Sequence, residues 1–206
     1  MKKYLEIAAG RLKSDEWVGV RDVPTRDPNV MQYDMTDLPM KDVKDNTFEG
    51  VYSEHFIEHI YKYQGIDFFK EMFRVLKPGG VIRTIWPPYE LVEKLVSNEK
   101  LTDKEEYFVE HYYGHFVSKR NFAPPGFTNK SKREQCALGL LYQGGEHRCV
   151  WAIKDLKQEL ENIGFINVKE QQYQESDFGP FKNLEYKCEV RKSHSAIVEA
   201  FKPWVL

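Results

Sequence analysis

The sequence predicts an α/β layer fold, because short apolar, strand-like runs alternate along the chain with apolar residues at helical spacing. Five strand candidates come first, at residues 4–9, 17–20, 30–33, 50–53 and 80–86. Two more follow near the end, at residues 165–171 and 196–202. A chain of 206 residues is long enough for one domain with a single sizeable core.

Two helices are predicted beside these strands. The first ends at the sequence Leu-Lys-Pro-Gly-Gly, because Pro78 cannot continue a helix and the two glycines after it permit a sharp reversal. Gly164 caps the second helix at its C-terminal end. Their apolar stripes consist of Ile66, Phe69, Met72, Phe73 and Leu76, and of Ile153, Leu156, Leu160 and Ile163.

Residues 91–150 interrupt the alternation and are predicted to form a mainly helical insertion. Thr102 with Glu105, and Ser131 with Glu134, have the spacing of capping boxes, which open helices. Between the two boxes, residues 119–133 carry five basic residues and no acidic one. Such a stretch is typical of a solvated surface loop; the alternative is a flexible lid that contacts an anionic substrate.

Composition excludes several classes of protein. Hydrophobic residues make up 41% and charged residues 30%, which is ordinary for a globular domain, and the formal net charge is −2. No overall field therefore favours nucleic acid or an anionic membrane, and no apolar run approaches the length of a membrane span. Cys136, Cys149 and Cys188 are odd in number and widely spaced, so we expect free thiols and a cytoplasmic location.

Polar residues follow the predicted strands, where a doubly wound sheet binds its ligand. Gly10 comes after the first strand, and the pairs Arg-Asp, Asp-Met and Glu-His follow the next three. Acidic side chains there could accept hydrogen bonds from ribose hydroxyls and from an adenine amino group. A G-x-G-x-x-G fingerprint is missing from the sequence, so dinucleotide binding has little support.

Residues 55–59 read His-Phe-Ile-Glu-His, the spacing of an inverted zinc-protease helix. On one helical face, His55 and His59 would be the metal ligands and Glu58 the base. Such a site also needs a third ligand and a long helix. Because a strand ends at Ser53 and Tyr-Lys-Tyr-Gln-Gly follows soon after Ile60, little helix is left. We therefore predict no metal site, with a zinc hydrolase as a remaining alternative.

Three stretches taken together resemble the class I S-adenosylmethionine-dependent methyltransferases, of the methyltransferase type 11-like group. They are YDMTDLPMKDVKDNTFEGVYSEHFIEHI, FFKEMFRVLKPGGVIRTIWPP and EHRCVWAIKDLKQELENIGFINVKEQQYQESDFGPFKNLE, followed by IVEAFKP. The resemblance implies a single methyltransferase domain over residues 1–206, with a Rossmann-like, seven-stranded, mostly parallel sheet and flanking helices. It places the insertion, residues 91–150, after the fifth strand and on the acceptor side.

The resemblance also implies S-adenosylmethionine as cofactor, with S-adenosylhomocysteine as product, and it assigns cofactor-binding residues. The glycine loop falls on Ala8 and Gly10, the ribose contact on Asp22, and the adenine contacts on Asp34 and Met35. The contacts to the methionine and ribose parts of the cofactor fall on three consecutive residues after the fourth strand: Ser53, Glu54 and His55.

Three features depart from the family pattern. Small residues replace the usual Gly-x before Gly10, which restricts the approach of the backbone. The acid expected at the end of the second strand falls on Arg21, with Asp22 one place late, and a strand residue shifted by one faces the other way. The link from Gly10 to Trp17 is shorter than a parallel crossover normally needs, so we expect inserted helices or a partner subunit to cover the sheet there.

Methyl transfer needs a general base only when the acceptor is a hydroxyl or a protonated amine. His55 and His147 are the candidate catalytic residues, with Glu54 as a third choice. We expect a small-molecule or saccharide acceptor, no membrane or nucleic-acid partner, and a possible homodimer. The alternative is a non-catalytic, Rossmann-like binding protein whose cofactor site has degenerated.

Overall fold

The computed structural model describes residues 2–10, 12–97, 99–120, 124 and 129–204. Within them, seven strands form one sheet in the order β3-β2-β1-β4-β5-β7-β6. Strand β7 runs antiparallel to both of its neighbours, and the other strand pairs are parallel. The strands are β1 Tyr4–Ile7, β2 Trp17–Arg21, β3 Val30–Gln32, β4 Phe48–Glu54, β5 Leu76–Trp86, β6 Ile166–Glu170 and β7 Ala196–Phe201. The predicted fold class is confirmed.

Helices pack against one face of the sheet and form the insertion. They are α1 Lys62–Val75, α2 Tyr89–Val96, α3 Asp103–Tyr112, α4 Ser118–Arg120, α5 Lys132–Tyr142, α6 Ile153–Ile163 and α7 Glu189–His194. A π-helical turn, Tyr113–Val117, joins α3 to α4. Over the described residues, none of these helices combines the length and the apolar character that a membrane crossing requires.

The insertion consists of helices α2 to α5 around an apolar cluster of its own. Both predicted capping boxes are present, since the hydroxyls of Thr102 and Ser131 accept hydrogen bonds from the backbone N–H groups three residues later. The cluster includes Leu95, Phe108 and Leu140. Residues 121–123 and 125–128 of the predicted basic loop lie outside the described residues, so the lid alternative stays a prediction, as does the division of the chain into domains.

The sequence Leu-Lys-Pro-Gly-Gly follows the end of α1, as predicted, but it belongs to β5 rather than to a sharp reversal, so that part of the prediction is wrong. Helix α1 ends one residue earlier, and β5 begins at once with an irregular stretch in which the pairing with β4 shifts register before Val81. This bulge accommodates Pro78, which cannot donate a ladder hydrogen bond. Gly79 has φ +77°, and a Cβ there would lie 2.4 Å from the Trp204 ring, so only glycine fits.

One face of the sheet packs against α1 and α6. The core on this side includes Leu5, Val51, Phe69, Met72 and Leu160, each of which is completely buried. The central strands β1 and β4 are buried along almost their whole length because both faces of the sheet are covered. This packing fixes the carboxyl ends of β1 and β4 next to each other.

The opposite face is covered by the chain between β6 and α7, rather than by inserted helices or a partner subunit as expected. No helix is found in the described residues between β1 and β2. Phe178 and Phe181 pack there instead, with ring centroids 6.2 Å from Tyr4 and 6.2 Å from Trp17 respectively. The long connection before β7 therefore replaces the layer that the short link cannot supply.

Candidate functional site

A cavity of about 450 Å³ lies at the carboxyl ends of β1, β2 and β4. The chain leaves the sheet in opposite directions from β1 and β4, so this is the topological switch point where open α/β sheets bind ligands. The size falls in the range of cofactor and small-ligand sites. The lining residues are Ala8, Val20, Arg21, Asp22, Tyr33, Asp34, Met35, Thr36, His55, Phe56, His59 and Ile60.

Five of the residues predicted to bind cofactor line this cavity: Ala8, Asp22, Asp34, Met35 and His55. They come from four different strand ends, which the parallel pairing brings to one edge of the sheet. Their proximity is therefore a consequence of the fold rather than of local sequence. Their role in binding stays a prediction.

The other three predicted cofactor residues do not line the cavity. Gly10 is exposed on the loop beyond β1. Ser53 is completely buried within β4, where it pairs with Ile7 of β1, so its side chain cannot reach the cavity. Glu54 faces elsewhere, because its carboxylate accepts a hydrogen bond from the Tyr52 hydroxyl at 2.8 Å and lies 3.3 Å from the Arg191 guanidinium.

Two cavity residues that are not glycine have left-handed backbone conformations. Ala8 has φ +54° and His55 has φ +52°, and each comes directly after its strand. This conformation costs an L-residue roughly 1–2 kcal/mol, so it persists only where the surrounding structure holds the backbone. Residues of this kind are frequent at functional sites. The two turns end β1 and β4 abruptly at the same edge of the sheet and open the cavity between them.

Replacing Ala8 with glycine is expected to stabilise the protein by roughly 0.5–1 kcal/mol, because relief of the left-handed strain exceeds the added chain entropy of glycine. Ala9 is the matched control, since it is buried and has no positive φ. Ala9→Gly is expected to lower stability by a similar amount. Urea unfolding followed by circular dichroism measures both changes. A lower unfolding midpoint for Ala8→Gly than for the unmodified protein would contradict the strain.

Arg21 occupies the position where the family resemblance expects an acid. Its guanidinium donates hydrogen bonds to the backbone carbonyls of Ala9 and Gly10, so it holds the loop after β1. Asp22 follows the last residue of β2 and is exposed at the rim of the cavity. The strict alternation of faces ends with the strand, which is why both residues line the cavity despite the shift by one.

Asp34 and Met35 form the opposite side of the cavity. The Asp34 carboxylate accepts hydrogen bonds from the Thr36 backbone N–H at 2.8 Å and from the Thr36 hydroxyl at 2.7 Å. These bonds lower the pKa of Asp34, so this exposed carboxylate is ionised at neutral pH. Met35 is buried and gives the cavity an apolar wall.

His55 connects the strand ends to the far end of the chain. Its Nδ1 lies 3.0 Å from Glu58 Oε1, and its Nε2 lies 3.0 Å from Ser195 Oγ. Burial lowers the pKa of His55 to about 3 and raises the pKa of the Glu58 carboxyl. The imidazole is therefore neutral at neutral pH, and it donates through one ring nitrogen and accepts through the other.

A second cavity of about 270 Å³ adjoins the first and shares His55 and His59 with it. It lies between the turn after β4, the insertion and α7, so the insertion forms part of its wall. The π-helical turn after α3 presents Phe116 to it, and such turns are frequent at functional sites. Its lining residues are His55, Glu58, His59, Tyr112, Phe116, Gln143, Cys188, Val190, Arg191 and His194.

Residues 55–59, which have the spacing of an inverted zinc-protease helix, contain a single 3-10 turn, Ile57–His59. His55 precedes this turn and points to Glu58 and Ser195, so His55 and His59 do not share a helical face. His147, the second candidate catalytic residue, lines neither cavity. Its ring packs edge-on against His59 with centroids 4.9 Å apart. A catalytic role for His147 stays a prediction.

Sequence reasoning did not find Ser195, His194 and Arg191 as site residues. The His194 ring lies 5.3 Å from the His55 ring, and burial lowers its pKa to about 3. Arg191 lines the second cavity, and its guanidinium pairs with Glu54 at 3.3 Å. These residues lie more than a hundred positions from His55 in the chain, and no spacing rule connects them to it.

Residues 3–84, from β1 into β5, match the family model described as a methyltransferase domain. No curated protein matches the chain. Two solved structures are similar over 98% of it, each with a TM-score of 0.53. One is an S-adenosylmethionine-dependent methyltransferase from Archaeoglobus fulgidus, 17% identical and covered over 86% of its length. The other comes from a complex of the Haloferax volcanii Trm112 methyltransferase activator with a methyltransferase, 13% identical and covered over 83%. At these identities, the likeness shows the fold.

Proposed function

We propose that the chain is a class I S-adenosylmethionine-dependent methyltransferase and that it transfers the methyl group to a small-molecule or saccharide acceptor bound beside the insertion. The match of residues 3–84 to a methyltransferase domain supports the predicted family and, with it, S-adenosylmethionine as the cofactor.

One observation supports the proposal most strongly: two cavities meet at His55 and His59. The larger lies at the switch point, where a nucleoside-type cofactor fits the fold. The smaller has a volume of about 270 Å³, enough for a small molecule or one sugar unit. A cofactor in the first cavity and an acceptor in the second would meet at the shared histidines.

The residues of the larger cavity fit the cofactor. Asp22 and Asp34 offer carboxylates that accept hydrogen bonds from ribose hydroxyls and from the adenine amino group. Met35 offers an apolar surface for the adenine ring, and the Ala8 turn brings backbone to the cavity wall. When bound, S-adenosylmethionine supplies an already activated methyl donor, so the chain needs little covalent chemistry of its own.

The chain's own contribution is positioning. Holding the acceptor in line with the donor accounts for much of the acceleration in reactions of this kind. Burial lowers the pKa of His55 to about 3, so it is a weak base, and both of its ring nitrogens are already bonded, to Glu58 and to Ser195. We therefore assign His55 to shaping the wall between the two cavities rather than to proton transfer. Arg191, which pairs with Glu54, lines the smaller cavity and can donate a hydrogen bond there to a polar group of the acceptor.

Isothermal titration with S-adenosylmethionine and with S-adenosylhomocysteine tests the proposal. We expect saturable binding of both at one equivalent, with a dissociation constant on the order of micromolar. No binding at protein concentrations well above that value would contradict the function.

A second experiment separates the enzyme from a non-catalytic binding protein, which the left-handed Ala8 and the misplaced Arg21 would otherwise favour. The protein is incubated with methyl-labelled cofactor and a small-molecule extract. We expect a labelled product in the extract, detected by mass spectrometry. Cofactor binding without label transfer across several extracts would support the binding protein instead.

We also propose that the protein works in the cytoplasm. The support is that Cys136, Cys149 and Cys188 are all free thiols, which a reducing compartment preserves. A homodimer stays a prediction of the sequence.

A further inference from the structure

Glu58, His59 and His147 form a cluster of metal-ligating side chains in the wall beside the two cavities. One ligand atom from each lies within 4.8 Å of the others. From this geometry we propose that the three residues bind a divalent first-row transition metal ion, with Zn²⁺ the best match. The site departs from the metal pattern of the sequence, because His147 from the insertion replaces His55.

The hydrogen bonding of His147 prepares it as a ligand. Its Nδ1 is bonded to the backbone carbonyl of Leu140, which can only accept, so Nδ1 carries the proton. The lone pair then lies on Nε2. This nitrogen is buried and has no hydrogen-bond partner among the described residues. A backbone carbonyl on one nitrogen and a free lone pair on the other is the usual state of a metal-binding histidine.

Glu58 is prepared in the same way. Its side chain is completely buried, and Oε1 is bonded to His55. Oε2 is buried and lacks a partner in the part of the chain that the structure describes. A buried carboxylate oxygen without a partner is costly, and a bound cation would satisfy it. His55 would then be the outer residue that orients a metal-binding carboxylate.

The backbone holds the two halves of the cluster together. The carbonyl of Glu58 accepts hydrogen bonds from the N–H groups of Arg148 at 2.8 Å and Cys149 at 3.2 Å. These bonds fix the residues next to His147 directly against the turn that carries Glu58 and His59. The cluster is thus tied down at its backbone on both sides.

The distances are compatible with an ion after a small adjustment. Ligand atoms around a tetrahedral zinc ion, at bonds of about 2.1 Å, lie about 3.4 Å apart. The observed limit of 4.8 Å therefore requires a closure of at most about 1.4 Å, within the reach of side-chain rotation. Two imidazoles and one carboxylate favour zinc or a neighbouring transition metal over magnesium or calcium, which prefer oxygen ligands.

Three protein ligands leave a coordination position open, as in catalytic rather than structural zinc sites. His59 is half-buried and lines both cavities, and Glu58 lines the smaller one. The open position would therefore face the smaller cavity and accept an oxygen atom of a ligand there. Metal binding itself goes beyond the proposed function and does not depend on methyl transfer.

Metal titration of the chelator-treated, full-length protein tests the inference, with Co²⁺ as a spectroscopic probe and Zn²⁺ in competition with a chromophoric chelator. We expect one equivalent of each to bind, with visible Co²⁺ absorption typical of a low coordination number. His147→Gln is expected to weaken binding by more than about 100-fold, since even outer-shell partners cost 10–100-fold. The same substitution at the exposed His115 is the matched control, and it is expected to change nothing.

Circular dichroism and thermal unfolding establish that each variant is folded. If His147→Gln does not fold, Glu58→Gln replaces it, because it keeps the shape of the side chain and removes the charge. Unchanged affinity in the folded variant would overturn the site, as would equal loss in His115→Gln. Failure of the unmodified protein to bind either ion would also overturn it, and would mean that a proton shared by Glu58 and His147 satisfies the cluster. None of these measurements uses the cofactor, so their failure leaves the proposed methyl transfer standing.

Discussion

Replacement of Arg83 with methionine is expected to lower the free energy of unfolding by about 3–5 kcal/mol, the usual cost of breaking a buried ion pair from one side. Arg83, Glu185 and Glu199 are each completely buried. The guanidinium lies 2.7 Å from Glu185 Oε1 and 2.6 Å from Glu199 Oε1. Without it, two carboxylates would remain in the core with no cation beside them.

The effect on structure should be local to the chain between β6 and α7. Arg83 lies on β5, and it also donates a hydrogen bond to the Glu175 carbonyl at 2.8 Å. It thereby ties the sheet to the segment that carries Phe178 and Phe181. We expect hydrogen exchange in residues 172–185 to accelerate in the variant more than exchange in β1 or β4.

Urea unfolding measures the loss, and Lys70→Met is the matched control. Lys70 pairs with Asp67 at 3.3 Å, but both side chains are 61% exposed. An exposed pair contributes little, so a change within about 0.5 kcal/mol is expected. A triple variant with methionine at position 83 and leucine at positions 185 and 199 should regain part of the loss, because it removes the unpaired charges. A loss below about 1 kcal/mol in Arg83→Met would contradict the role of the network.

The part of the site predictable from sequence is the part that the parallel sheet dictates. Ala8, Asp22, Asp34 and His55 each follow a strand, and parallel strands bring their carboxyl ends to one edge. Strand periodicity alone therefore places these side chains together. Ser53 shows the limit of transfer by resemblance, because it lies within a strand and its side chain is buried.

The sequence could not predict contacts between segments that are distant in the chain and have no periodic pattern. The aromatic cover of Phe178 and Phe181 comes from an irregular connection, and His147 meets Glu58 from almost ninety residues away. The predicted helix end at Leu-Lys-Pro-Gly-Gly is correct, but the predicted reversal is wrong, because residues that break a helix are equally compatible with a reversal and with a bulged strand. Pairing with β4 and contact with Trp204 decide between the two, and both are tertiary effects.

Replacement of Asp22 with asparagine is expected to weaken the binding of S-adenosylhomocysteine by about 10–100-fold. A carboxylate accepts hydrogen bonds from two ribose hydroxyls, and hydrogen bonds to charged groups contribute about 1.5–3 kcal/mol each. Asparagine keeps the shape but offers a single acceptor oxygen, so about one such bond is lost. At about 1.4 kcal/mol per tenfold change, the loss corresponds to the stated range. Isothermal titration gives the affinity.

Asp37→Asn is the matched control, since Asp37 is also exposed, lies in the neighbouring loop and does not line the cavity. Both substitutions remove one negative charge, so a long-range electrostatic effect would change both affinities equally. Asp22 is exposed at the cavity rim, which means that its substitution should leave the unfolding midpoint within error. Stability measured on the same samples separates loss of binding from loss of folding.

The three proteins together distinguish the remaining interpretations of the displaced acid. If Asp22 contacts the ribose, only Asp22→Asn loses affinity, and the shift by one residue is compensated by the end of β2 at Arg21. If Asp34 supplies the contact alone, Asp22→Asn and Asp37→Asn bind as tightly as the unmodified protein. If the protein no longer binds the cofactor, none of the three proteins binds S-adenosylhomocysteine. The hydrogen bonds from Arg21 to the carbonyls of Ala9 and Gly10 would then hold the loop after β1 in a form that does not admit the cofactor.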